Sequence, residues 1–190
     1  MDGLTKFDRI NILKQYGLNV LPYTLFKKGT NWDLVMKVVL SFPENISVRT
    51  QNPLGGLDVY YPKNVNIQQQ DALPNIKQYL NDYDVLISEA INPDLCCICG
   101  NIALLKDQII LETVNGAGTL DRLTRENKLD NSWVVNYFNY RNEIKDVRLQ
   151  KVINKVLNLP MRNIIIEFSI YREKVSIYND DYIVWEFTNY

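Results

Sequence analysis

Glu167 and Glu186 are the residues whose types and spacing most directly suggest chemistry. Each sits inside a run rich in β-branched and aromatic residues, 163–171 and 182–187. Such runs read as strands, and side chains alternate across a strand. Strict alternation puts Ile164, Ile166, Phe168 and Ile170 on one face, and Glu167 with Ile165, Ser169 and Tyr171 on the other. In the last run it groups Glu186 with Tyr182 and Val184, and sends Ile183, Trp185 and Phe187 the opposite way. Each acid is thus flanked by residues that expect burial. A carboxylate there needs a partner, and a hard metal ion or a Lys/Arg would serve. The plainer reading is a structural ion pair with Arg172 or Lys174. Geometry sets a further condition. If the run 174–178 forms a strand between the other two, the acid-bearing strands lie about 10 Å apart, twice the ladder spacing. A Mg²⁺ with ligands at about 2 Å is then hard to share. Direct pairing of the two strands makes sharing easy.

The elements that must position these acids come from a chain of 190 residues, a length that suits one domain or two small lobes. Its 46% hydrophobic and 23% charged content is that of a globular protein, and a net charge of −1 provides no basic field for nucleic acid or membrane. No run is apolar enough to span a bilayer and the start shows no signal pattern. The three cysteines suggest a reducing compartment, so a cytoplasmic location is expected. Histidine is absent, which removes Ser–His and Cys–His nucleophile pairs and histidine-ligated zinc within this chain.

Helical spacing marks residues 4–16, ended by Gly17, and residues 32–40, capped by Thr30 or Asn31. Strands are expected at 23–26, 46–50, 57–61 and 84–91, with a polar loop or helix entry at 64–71 and a helix at 72–79. Residues 95–105 and 108–114 flank Lys106-Asp107 as an antiparallel hairpin. Residues 119–136 are mixed and charged, and 137–157 have helical character. Cys96, Cys97 and Cys99 read as buried core, with Cys97 and Cys99 on one side of their strand and Cys96 on the other. A metal site shared between two copies is the other reading. The loop Asn115-Gly116-Ala117-Gly118 is a turn or a phosphate cradle, and Arg122, Arg125 and Lys128 behind it serve an anion or solvate a helix face.

The order of these motifs resembles the nucleotide-binding domain of phosphoenolpyruvate synthases and pyruvate phosphate dikinases. Residues 6–26, with a Leu-Lys-x-x-Gly pattern running to Val20 and Pro22, resemble the start of that domain. Ser47-Val48-Arg49-Thr50 resembles its Ser-Val-Arg-Ser segment, residues 85–91 its hinge strand, residues 109–118 an Ile-Glu-Ala-x-x-Gly-Leu-Gly-Glu stretch, and residues 164–168 an Asp-Ile-Glu-Trp segment. Two departures stand out, Gln51 for the second serine and Thr119 for a glutamate.

The resemblance implies an α+β, ATP-grasp-like fold, with two small lobes of mainly antiparallel sheet around a nucleotide cleft. An N-terminal lobe would span residues 1–83 and a C-terminal lobe 84–190. ATP and Mg²⁺ would be the ligands. Lys6 and Arg49 would contact phosphates, Glu89 would lie near the adenine or ribose, and Gly116 and Gly118 would face the nucleotide. Glu167 and Glu186 would hold the metal. The implied activity is phosphoryl transfer or carboxylate activation by an ATP-dependent phosphotransferase or ligase, with a separate acceptor protein or self-association. The alternative is a non-catalytic nucleotide-binding or protein-interaction module that keeps the fold.

Overall fold

Alternating apolar residues build two antiparallel sheets, and short amphipathic helices bury the apolar faces. The computed structural model describes residues 3–55, 61–116, 129–175 and 180–190. The chain divides into two compact units, Met1–Arg9 with Leu21–Asn92, and Ile10–Val20 with Pro93–Tyr190. The crossing between them falls within helix α1 (Lys6–Gln15).

The first unit holds strands β1 (Thr24–Phe26), β2 (Asn45–Gln51), β3 (Lys63–Gln68) and β4 (Asp84–Glu89), in the order β1-β4-β2-β3 with every pair antiparallel. Helices α2 (Trp32–Val39) and α3 (Gln69–Tyr79) supply Val35, Val39, Ala72 and Ile76 to a core that includes Phe26, Ile46, Val48, Val85 and Ile87. Asn31 caps α2 by accepting from the Asp33 and Leu34 amides at 2.9 and 3.3 Å. With eight residues, α2 is too short to be stable alone. Burial of Val35 and Val39, worth about 1.5–3 kcal/mol each, holds it in place.

One expectation changes here. Residues 64–68 belong to β3 and not to a loop, while Gln69 opens α3 as the helix-entry reading expects. The bulge puts Ile67 on the half-buried face with Asn64 and leaves Val65 exposed. The register slips between Ile46 and Val48, and Asn66 absorbs the slip at φ 54°, a left-handed conformation that asparagine tolerates. The expected strand at 57–61 lies almost wholly outside the described residues.

The second unit is a five-stranded sheet in the order β7-β6-β5-β8-β9. Its strands are β5 (Cys96–Leu104), β6 (Gln108–Asn115), β7 (Asn131–Asn136), β8 (Ile164–Val175) and β9 (Asp180–Asn189). The 137–157 stretch is two helices, α4 (Tyr140–Glu143) and α5 (Val147–Val156), because Ile144 leaves the helical region and Asp146 caps a new start. Leu149, Val152, Ile153 and Val156 form the buried stripe of α5. Strand β7, inside the stretch read only as mixed and charged, pairs with β6 from Gln108↔Asn136 to Thr113↔Asn131. The edge strand β9 is partly covered, since the Val184 amide donates to the Asn19 carbonyl at 2.7 Å.

No inner strand separates β8 from β9. The two pair directly, β8 running on to Val175, and residues 176–179 lie outside the described set. Bulges also overturn the alternation expected in two places. One falls between Cys96 and Ile98, so the Cys96 and Cys99 sulfurs meet at 3.2 Å while Cys97 accepts from Arg148 at 3.3 Å. The other inserts Trp185 into β9. The expected α+β architecture with mainly antiparallel sheets is the one observed.

Candidate functional site

Directly paired residues of an antiparallel ladder share a face. Glu167 pairs with Glu186 across β8 and β9, and Ile166 pairs with Phe187. Beyond the bulge, Phe168 pairs with Val184 and Ile170 with Tyr182. The extra residue Trp185 therefore returns Val184 and Tyr182 to the face of Phe187 and leaves Glu186 with Glu167 and Ile183. This differs from strict alternation, which groups Glu186 with Tyr182 and Val184. The Trp185 indole donates to Ser169 Oγ at 2.7 Å and fixes the bulge.

The same rung continues across the sheet. Glu167 pairs with Asn101 on β5, Asn101 with Glu112 on β6, and Glu112 with Ser132 on β7. Cβ atoms in such pairs lie about 4.5–5.5 Å apart, and like charges directly opposite each other repel. Glu186 is 7% exposed, so that repulsion acts at low dielectric. Asn101 Oδ1 is buried and accepts no hydrogen bond among the described residues. The paired Glu167 and Glu186 carboxylates are hard oxygen donors that fit a hard cation. Among the described residues no group of three or more His, Cys, Asp or Glu side chains is placed to hold a metal. Two carboxylates suit Mg²⁺, which commonly completes its shell with water and substrate phosphates.

Gly100 makes the rung possible. A Cβ there would stand 2.5 Å from the Glu112 carbonyl oxygen and 2.8 Å from the Phe168 ring. Neither Asn101, Glu112 nor Gly100 stands out in the sequence, because only the pairing register reveals their alignment. Gly116, at φ +99°, ends β6 in a left-handed conformation, and its amide donates to the Cys97 carbonyl at 2.9 Å. Gly118 lies outside the described residues, as do Arg122, Arg125 and Lys128.

The first unit holds Lys6, Arg49 and Glu89. Thr5 and Asp8 cap the start of α1 reciprocally, at 2.9 and 3.2 Å, and the Thr5 bond holds the Asp8 carboxyl below its usual range. The next amide, of Phe7, donates to Gln51 Oε1 at 2.9 Å. Gln51 donates in turn to Asp84 at 3.4 Å, and Asp84, 1% exposed, accepts from Lys27 at 3.0 Å. Gln51 shares a face of β2 with Arg49, so this network ties the backbone beside Lys6 to the strand that carries Arg49. Arg49 pairs with Leu86 and Ile46 with Glu89, which puts Arg49 and Glu89 on opposite faces of their sheet. Within the second unit, Glu167 and Glu186 are brought together.

No protein-family model matches the sequence, and no curated protein matches it either. Solved structures do match, and they show that the fold is ATP-grasp-like. Three illustrate it. The purK protein, an N5-carboxyaminoimidazole ribonucleotide synthetase in complex with ADP, superimposes with a TM-score of 0.62 at 13% identity, over 98% of this chain and 45% of that one. A RimK domain ATP-grasp protein from Sphaerobacter thermophilus gives 0.58 at 12% identity, over 99% and 58%. The D-alanine-D-alanine ligase from Coxiella burnetii gives 0.57 at 10% identity, over 97% and 46%. The chain spans about half the length of these proteins. Among the described residues no helix is long and apolar enough to cross a membrane.

Proposed function

We propose that this chain binds Mg-ATP and uses it for carboxylate activation or phosphoryl transfer. The Glu167–Glu186 pair, directly opposed on one face of an ATP-grasp-like sheet, carries this reading. In it, Glu167 and Glu186 hold Mg²⁺, Lys6 and Arg49 contact phosphates, and Glu89 lies near the adenine or ribose. Gly116 and Gly118 line the nucleotide. When bound, the metal neutralises phosphate charge. The protein contributes positioning and fixed charge rather than a covalent residue. The ligases among the similar structures favour carboxylate activation. The likeness to phosphoenolpyruvate synthase and pyruvate phosphate dikinase favours phosphoryl transfer to a separate acceptor protein or a second copy.

A non-catalytic nucleotide-binding or protein-interaction module is the second reading. Phe138 and Val134, 92% and 60% exposed beside the edge strand β7, favour it.

Calorimetric titration with ATP, with and without Mg²⁺, on the wild type and Glu167→Gln tests the first reading. Mg²⁺-dependent binding that weakens in the variant supports it. Absence of binding up to millimolar ATP overturns it and leaves the likeness as one of fold.

A further inference from the structure

A small cavity of about 100 Å³ opens on the carboxylate-bearing face of the second unit's sheet. Asn101, Glu112, Ala103, Ile110, Ile165 and Tyr190 line it. Its floor follows from the register. Asn101 and Glu112 belong to the Glu167–Glu186 rung, while Ala103 pairs with both Ile110 and Ile165 in the next rung on that face. One end is thus oxygen-rich and the other aliphatic.

The chemistry of the two ends is unequal. Asn101 Oδ1 is buried and accepts no hydrogen bond among the described residues. Glu112 forms no salt bridge among them. An acceptor left buried in this way favours a ligand that donates hydrogen bonds, and a carboxylate beside it favours one that is cationic. A hydrated metal ion would find no oxygen on Ala103, Ile110 or Ile165 side chains. An alkyl chain would find apolar contact there. Tyr190, whose aromatic ring can attract a cation, also lines the cavity. A cavity of roughly 150 Å³ accepts a benzene ring, so this one takes about four heavy atoms and leaves any longer tail in solvent.

We infer that this cavity binds the ammonium group and first carbons of a small aliphatic amine. The ammonium donates to Glu112 and Asn101, and its carbons lie against Ala103, Ile110 and Ile165. Neither nucleotide nor metal is required, so the inference stands apart from the proposal of Mg-ATP binding.

The test uses the full chain, free of nucleotide and Mg²⁺, titrated with n-propylamine at neutral pH. Amide shifts are followed by nuclear magnetic resonance, and n-propanol serves as the uncharged control. The expected result is saturable binding with a dissociation constant on the order of a millimolar, given so few ligand atoms. Shifts should centre on Asn101, Ala103, Ile110, Glu112 and Ile165. Glu112→Gln should weaken binding about tenfold or more, and n-propanol should bind at least as much more weakly than the amine. Ala103→Val, which narrows the aliphatic end, should weaken both. Equal binding of amine and alcohol overturns the inference, as does an unaffected Glu112→Gln. Shifts produced by Mg²⁺ alone at these residues, with none from the amine, overturn it in favour of an inorganic cation. Because no ATP is present, failure here and failure of nucleotide binding are read separately.

Discussion

Glu167 and Glu186 face each other directly across β8 and β9, at the edge of a five-stranded antiparallel sheet. If both ligate one ion, their contributions to it cannot be independent. Glu167→Gln and Glu186→Gln should each reduce Mg²⁺-dependent ATP affinity by about ten- to a hundredfold, the scale of one charged contact. The double variant should then lose little more than the worse single one, because the site is already broken. Calorimetry on all four proteins closes the cycle. Full additivity of the two losses would mean that the acids act at separate places.

A side-chain bond braces the bulge that sets this pairing. Ser169 Oγ accepts from the Trp185 indole at 2.7 Å and also meets Cys99 Sγ at 3.2 Å. Ser169→Ala leaves the indole donor without that acceptor. The expected cost is about 1 kcal/mol, with a red-shifted tryptophan emission as the ring loosens. Urea denaturation with fluorescence detection measures both, and an unchanged midpoint would show that the bulge holds without the bond.

Gly100→Ala should cost about 1–3 kcal/mol, the range for overpacking in a close-packed core. The added Cβ meets the backbone oxygen of Glu112 at 2.5 Å and the Phe168 ring at 2.8 Å. Shortening the ring with Phe168→Leu relieves the second clash alone. Gly100→Ala should therefore cost nearly as much in the Phe168→Leu background as in the wild type, as read from chemical denaturation midpoints.

Tyr182 controls a pH window. The residue is 1% exposed, its hydroxyl is buried without a partner among the described residues, and burial pushes its pKa up to about 12. The unfolded chain titrates at about 10. The folded value is the higher one, so the neutral phenol favours the fold, and this contribution is complete below about pH 10. It is lost as the pH rises towards about 12. Tyr182→Phe should flatten the loss of stability across that window. At neutral pH it should cost less than about 1 kcal/mol or stabilise slightly, because an unbonded hydroxyl is removed from the core. Denaturant midpoints at neutral pH and at about pH 11 check both signs.

Much of this was legible in the chain. Apolar periodicity marked β5, β6, β8 and β9 and the helices α1, α2 and α5, because local burial patterns repeat at 2 or 3.6 residues. The choice of Thr30 or Asn31 announced the start of α2, and Asn31 is the cap. Both acids were visible as single charges inside apolar runs. The edge strand β3 was harder to read, because its two apolar residues, Val65 and Ile67, lie among polar ones and the bulge at Asn66 sends them to opposite faces. Strand β7 follows a charged stretch and carries little burial of its own.

The sequence by itself determined that the strongly apolar runs become strands and which residue types alternate along them. Only the tertiary structure decided who stands beside whom. Extra residues at Cys97 and Trp185 shift the register by one, and a shift of one exchanges the two faces of a strand. Strict alternation therefore misplaced Cys96 and Glu186, while the fold brought Cys96 to Cys99 and Glu186 to Glu167. The rung from Glu112 through Asn101 to Glu167 joins positions far apart in the chain. Hydrogen-bond pairing between strands sets such a rung, and no local pattern encodes it.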